Sequence, residues 1–269
     1  MPKGVSYTHH SCSEVQLSVI RYRRESLIGL ACVVAVLAVF SFPAIPQDPA
    51  YHDFADDRML LGIPNFWNVV SNAAFLMVGS FGLLKFFRGK IPGAGLPYLV
   101  FCFGIILVAA GSAYYHLDPT PQSLVWDRLP MTLAFMAIFS MVVSDRVSEP
   151  FGARLLWPSV LVGIASVTYW YWTEVQGKGD LRPYVIVQFL PMLIIPMLLL
   201  LYSGKRMLAV FIWATLFTYG LAKVAEHYDP AIFEWLGFWS GHTIKHLLSA
   251  LAVLWVVLSF RSGKNTQKH

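Results

Sequence analysis

The feature that constrains this chain most is a series of long uncharged stretches separated by short basic ones. A helix needs about 20 apolar residues to cross a bilayer. Such stretches lie at roughly 27–45, 66–87, 96–116, 128–145, 153–173, 182–202, 207–226 and 241–260, which makes eight. Within hydrocarbon, backbone polar groups must be satisfied inside their own segment, so each stretch reads as a helix. Only 13% of the residues are charged, about half of what a soluble domain carries. The expected fold is an all-α integral membrane bundle. No stretch repeats another closely, and no pair of Gly- or Pro-broken helices stands in matched positions, which argues against a transporter. Pro191 and Pro196 put a kink in the sixth stretch, where it can widen a lipid-sized cavity or simply shape the packing.

Charge sets the orientation. Arg21, Arg23 and Arg24 precede the first stretch, and Lys85, Arg88 and Lys90 follow the second. Arg146 and Arg154 flank the turn from the fourth to the fifth, Lys205 and Arg206 join the sixth to the seventh, and Arg261, Lys264 and Lys268 close the chain. With eight alternating helices all of these fall on one side, so the positive-inside rule places both termini in the cytoplasm. The formal charge of +5 is thus topological. No basic stripe with interleaved aromatics points to nucleic acid. Short loops and a strong charge bias suit a bacterial inner membrane.

Pro43-Ala44-Ile45-Pro46 is a poor cleavage site, so the first stretch reads as a retained helix rather than a signal peptide. Cys12, Cys32 and Cys102 are too few and too widely spaced for a disulfide framework. His9 and His10 lie in a polar tail with nothing around them to complete a site, and read as solvated. Trp67, Trp126, Trp170, Trp172, Trp235 and Trp239 cluster near helix ends, where interfacial anchors sit.

The chemistry gathers in two places. The last stretch opens Gly241-His242-Thr243-Ile244-Lys245-His246. Residues four apart share a helix face, so His242 and His246 can address one ion. Catalytic zinc favours three protein ligands and an open position, and His116, ending the third stretch, is the candidate third. Helix alternation puts His116, Asp127 and His242 at one outer depth, with His246 a turn deeper. Asp127, a short loop after His116, is a candidate base for an attacking water. With Pro130 behind it, it equally resembles a helix N-cap. Ser112 lies four residues before His116 on the same face, placed either to donate to an oxyanion or to pack between helices. No Glu follows the first paired His, so the HExxH protease motif is absent. Three unrelated structural histidines are an equal reading at this point. Lys223 and Glu226, three apart, are placed to form an ion pair, with His227 nearby as a candidate outer partner of the site. Asn68, Ser71 and Asn72 are expected to hydrogen-bond between helices, or to orient a ligating histidine.

Taken together, Ser112 and His116 in GSxxYH, Asp127 in DxxPM and the late His242/His246 pair resemble the signature of the alkaline ceramidase family. That family belongs to a superfamily of seven-helix membrane hydrolases that includes the adiponectin-type receptors. The segment Phe66-Trp67-Asn68-Val69-Val70-Ser71-Asn72 resembles the family's opening-helix motif, and the likeness runs from about Tyr51 to the last helix. The resemblance implies that His116, His242 and His246 hold zinc and that Asp127 and Ser112 complete the catalytic site. It implies a seven-helix core preceded by one additional helix. The expected division is a cytoplasmic tail at 1–26, the extra helix at 27–45, a ceramidase-like hydrolase domain at 46–260 and a cytoplasmic tail at 261–269.

The implied activity is cleavage of the amide of ceramide, or of a ceramide-like lipid, to a sphingoid base and a fatty acid. Lipid would enter from the bilayer and water from the outer side. The same chemistry on an ester or another N-acyl lipid, and a receptor-like lipid binder with structural zinc, are the alternatives. Two departures bear on the substrate more than on the zinc chemistry. Eukaryotic ceramidases carry an acidic calcium-binding segment before the opening helix. Here Arg58 follows Asp53, Asp56 and Asp57, and Asn65 stands where an acid is usual; a Ca2+ ion needs several oxygen ligands. Lys245 replaces a common aromatic between the paired histidines. It is expected to face elsewhere on the helix and to snorkel or pair with an acid.

Overall fold

The structure is a computed structural model. It describes residues 8–89 and 95–260, with side chains from residue 19 onward, 21 excepted. The readings of His9, His10 and Cys12, of residues 1–7 and of the tail at 261–269 lie outside the described residues and side chains. Among the described residues every regular element is a helix, and eight helical segments are long and apolar enough to cross a membrane. The fold is an all-α integral membrane bundle, and the protein is multi-pass.

The chain divides into two compact units, Met1–Phe42 and Pro43–His269. The first holds α1 (Thr8–Ser41), whose apolar part is Tyr22–Ser41. Helix α1 starts far ahead of the expected residue 27. Between Thr8 and Glu25 the sequence has neither Gly nor Pro, so nothing punctuates the helix where its polarity changes.

The second unit carries the other seven crossings. A 3-10 turn (Pro49–His52) leads to α2 (Phe66–Val70) and α3 (Ala73–Phe87), which together make the first of them. Helices α4 (Gly95–Leu117), α5 (Pro121–Arg146), α6 (Glu149–Val175), α7 (Arg182–Leu201) and α8 (Arg206–His227) follow. A short α9 (Asp229–Leu236), which the apolar pattern does not announce, precedes α10 (Gly241–Ser259). Helix α4 packs between α3 and α5, α5 also meets α6 and α7, and α10 lies against α8 and α3.

The α2–α3 junction is built by side chains that compete with the helix ladder. The Ser71 hydroxyl and the Asn72 amide both donate to the Asn68 carbonyl, at 3.2 and 2.8 Å. This places Asn68, Ser71 and Asn72 as a buried polar knot in the wall facing α10.

Helix α5 corrects one expectation. Asp127 is not an N-cap: it lies inside the helix, which begins at Pro121. Thr120 is the cap. Its hydroxyl accepts from the Ser123 amide at 3.1 Å, and the Ser123 hydroxyl accepts from the Thr120 amide at 3.0 Å. Pro121 occupies the first helical position, where a missing N–H costs nothing. Asp127 and Arg128 therefore enter the bundle as interior residues, both buried.

Close helix approach is set by glycine. A Cβ on Gly104 would press to 3.2 Å from the Ala134 nitrogen, and one on Gly111 would overlap the Trp126 carbonyl. These glycines sit seven residues apart on α4 and bring it against α5 on either side of Asp127. At the start of α10 a Cβ on Gly241 would overlap the Ala225 carbonyl of α8. Trp170 is a second correction. It is fully buried in a cluster with Tyr115, Leu124, Val167 and Tyr184, whereas Trp126, Trp172 and Trp235 are exposed as anchors would be. Trp170 lies under the Arg128 guanidinium, 4.2 Å from ring centroid to Cζ, which explains why it faces inward.

Candidate metal centre

Three buried imidazoles meet at one end of the unit with seven crossings. His116 comes from the last turn of α4, and His242 and His246 from the first two turns of α10. Their ring centroids form a nearly equilateral triangle with sides of 4.9, 5.0 and 4.9 Å. One nitrogen from each lies within 4.8 Å of the others. Among the described residues, the His, Cys, Asp and Glu side chains that converge in this way are these three histidines.

The surroundings fix the rings from several sides. Ser240 caps α10, accepting from the Thr243 amide at 3.3 Å. Asp229 takes the His242 amide on one carboxylate oxygen at 2.6 Å and the Ala55 amide on the other at 3.0 Å. It thereby ties the start of α10 to the loop before α2. Sequence reasoning missed Asp229, because an Asp-Pro pair opening a short helix carries no sign of a long-range partner. Phe54, from the same loop, lies against His116 at 4.7 Å and His242 at 4.6 Å. The Ser71 hydroxyl lies 2.8 Å from His246 Nδ1, leaving Nε2 for the centre of the triangle. His116 Nδ1 is buried and has no hydrogen-bond partner. A neutral imidazole with a bare buried nitrogen beside two others is a donor set that fits a divalent ion of borderline softness.

Of the expected supporting residues, Ser71 reaches a histidine and the other two act through it. Asn68 accepts from the Thr243 hydroxyl at 2.8 Å and donates to the Asp56 carbonyl at 3.3 Å, while Asn72 braces the Asn68 carbonyl. Asn65 donates to the His116 carbonyl at 2.9 Å, a bond that a carboxylate in its place could not make. In the acidic segment, Arg58 occupies both Asp56 oxygens at 2.7 and 2.8 Å and also donates to the Phe238 carbonyl. Asp53 and Asp57 are exposed. His227 is exposed, with its ring against Tyr228.

Asp127 and Ser112 come from α5 and α4, close enough for the Ser112 hydroxyl to interact with the Asp127 carboxyl. The Gly111–Trp126 contact one residue away sets their spacing. Both line a cavity of about 140 Å³ together with His246 and Lys245. Beyond this polar end the walls are apolar: Ile105, Phe101, Ile138, Ile195 and Val256 among them. His246 and Val256 both line it, which gives the cavity a length of about 15 Å at the helical rise. Pro191 is part of the wall on α7. Lys245 does not face away as expected. It lines the cavity, pairs with Glu226 at 2.8 Å and lies 3.5 Å from His242 Nε2. The expected Lys223–Glu226 pair is present at 2.6 Å.

Above the triad, His52 Nδ1 and the Tyr115 hydroxyl are 3.0 Å apart. Burial, and then the nearby Arg128 guanidinium, hold the His52 imidazole below its ordinary value of 6.5.

A buried imidazole triad, one of whose rings shares an apolar-walled cavity with a carboxyl and a hydroxyl, is an arrangement suited to hydrolysis at the head of a long acyl chain. No curated protein matches the chain. Residues 60–268 match the sequence model of the family described as Ceramidase. That match covers well over half of the chain and supports an amide-hydrolysing membrane enzyme acting on lipid, and the protein belongs to the ceramidase family.

Proposed function

We propose that the protein is a zinc-dependent intramembrane hydrolase that cleaves the amide of ceramide or a ceramide-like lipid to a sphingoid base and a fatty acid. The observation that carries this reading is the triad of buried imidazoles, of which His246 lines an apolar-walled cavity together with Asp127 and Ser112. His116, His242 and His246 would hold the ion. When bound, zinc supplies a Lewis acid that lowers the pKa of water and polarises a carbonyl.

The chain's own residues do the rest. The cavity walls take the acyl chain and exclude bulk water, which strengthens every polar contact at its head. Asp127 accepts a proton from the attacking water as the C–O bond forms, and returns it to the amide nitrogen as the C–N bond breaks. Ser112 donates its hydroxyl to the carbonyl oxygen as charge builds there. Ser71 holds His246 in one orientation. A structural-zinc receptor would call for a fourth protein ligand, and the converging set among the described residues is three.

The orientation follows from charge. Lys85 donates to the carbonyls of Val257 and Phe260, and Arg146 to those of Tyr202 and Lys205. These cations mark the end of the bundle opposite the triad, so the positive-inside rule puts the metal centre toward the outer side and both termini in the cytoplasm, as in a bacterial inner membrane. The test is hydrolysis of ceramide by the purified chain in lipid vesicles. Sphingoid base and fatty acid are expected by mass spectrometry, in a reaction stopped by a chelator and restored by zinc. Release from an acyl ester but from no amide would reject the amidase reading.

A further inference from the structure

The cavity presents more positive charge than the reaction uses. Lys223 and Lys245 both line it near Ser112, Asp127 and His246. They share a single carboxylate, Glu226, at 2.6 and 2.8 Å. Each ammonium carries three donors, so both retain donors after Glu226 is satisfied, although Lys245 also lies 3.5 Å from His242 Nε2. Tyr219 and Gln188, hydrogen-bonded to each other at 3.0 Å, line the same wall. Across the cavity the facing acid is Asp127. With a divalent ion on the imidazoles, the two lysines and the ion outweigh the two carboxylates. Uncompensated charge is costly at membrane depth, and an anion on the lipid's head group balances it better than hydroxyls alone.

Resting on the amidase reading above, we infer that among ceramide-like amides the site favours a lipid whose head group carries an anion, a carboxylate or a phosphate, which Lys223 and Lys245 receive while the acyl chain fills the apolar cavity. Lys223 is the separable half of the pair. Its removal leaves Lys245 and Glu226 as a matched ion pair, with no carboxylate stranded.

Three palmitoyl amides that differ only in the head group test this: N-palmitoylglycine with a carboxylate, N-palmitoyl-phosphoethanolamine with a phosphate, and N-palmitoylethanolamine with a hydroxyl. Equilibrium binding is measured on the purified full chain in detergent, and kcat/KM on the zinc-loaded chain. Charge-assisted hydrogen bonds of ordinary strength predict a preference of about tenfold or more for one of the anionic amides. Lys223→Met should abolish the preference and Lys223→Arg should keep it. A purely structural ion trio would lower thermal stability in Lys223→Met and leave the preference untouched, which overturns the inference. If Lys223→Met does not fold, the wild-type panel decides. Equal handling of all three overturns the anion site while leaving the amidase reading intact. Anion-selective binding with no cleavage of these amides or of ceramide supports the site and rejects the amidase reading. No preference, and no cleavage of these amides or of ceramide, rejects both. The carboxylate and phosphate arms distinguish an amino-acid head from a phosphorylated one.

Discussion

One added methyl group at Gly111 is expected to disable the enzyme without changing a polar residue. A Cβ there would overlap the Trp126 carbonyl oxygen, and would lie 2.8 Å from the Trp126 carbonyl carbon and 3.4 Å from the Asp127 nitrogen. The obstacle is backbone in the middle of a helix, so no side chain can swing aside. Helices α4 and α5 must part by roughly 1 Å to restore van der Waals contact, at the level where Ser112 and Asp127 meet. Overpacking of this kind costs about 1–3 kcal/mol of stability, while a 1 Å misplacement of reacting groups costs about 10²-fold in rate. Gly111→Ala should therefore fold with a lowered melting temperature and lose kcat/KM out of proportion. Gly220 on α8 has open space where a Cβ would go. Gly220→Ala is the control, neutral or stabilising by about 0.5–1 kcal/mol. Both variants are assayed for thermal unfolding and for turnover of one lipid amide. Wild-type kcat/KM in a folded Gly111→Ala would refute the claim that the α4–α5 approach positions the two residues.

Three further outcomes follow from named contacts. Ser71→Ala removes the partner of His246 Nδ1 and should weaken metal affinity by about 10–100-fold, read by competition with a chelating dye. Unchanged affinity would mean that packing alone orients the ring. Asp229→Ala strands the amides of His242 and Ala55 and should destabilise the protein by about 1–3 kcal/mol, seen as a lower melting temperature; an unshifted melt would count against the clamp. His52 titrates below its ordinary 6.5 when folded, with Tyr115, Arg128, Asp53 and Glu174 around it. The unfolded state therefore binds the extra proton, and this contribution to stability is full above pH 6.5 and lost as pH falls through the lowered folded value. Melting temperature should drop on acidification from pH 6.5 down through that value, and drop less in His52→Gln.

Apolar length made the crossings legible, since each long uncharged run has one economical solution in lipid. It failed where polarity and helix boundary part company. Asp127 and Arg128 look like the end of a loop, yet the helix runs through them because Ser112 meets the first and Tyr51, Trp170 and Tyr184 surround the second. Thr120-Pro121 was the usable signal for the true start. The His242/His246 spacing and the depth of His116 could be reasoned from helix periodicity and alternation. The loop partners could not: Asp229 and Phe54 reach the triad through tertiary contacts with no sequence period. Lys245 misled because a helix wheel separates it from His246, whereas the cavity is wide enough to take in both faces, and Glu226 on the neighbouring helix draws it there.

The central claim is that His116, His242 and His246 jointly hold one catalytic zinc ion. Elemental analysis of the gently purified full chain tests it most directly. The expected result is about one zinc per chain in the wild type and none in His116→Ala, His242→Ala or His246→Ala, each folded by thermal melt. A wild-type chain without metal, or a folded triad variant that keeps a full complement of zinc, would contradict it.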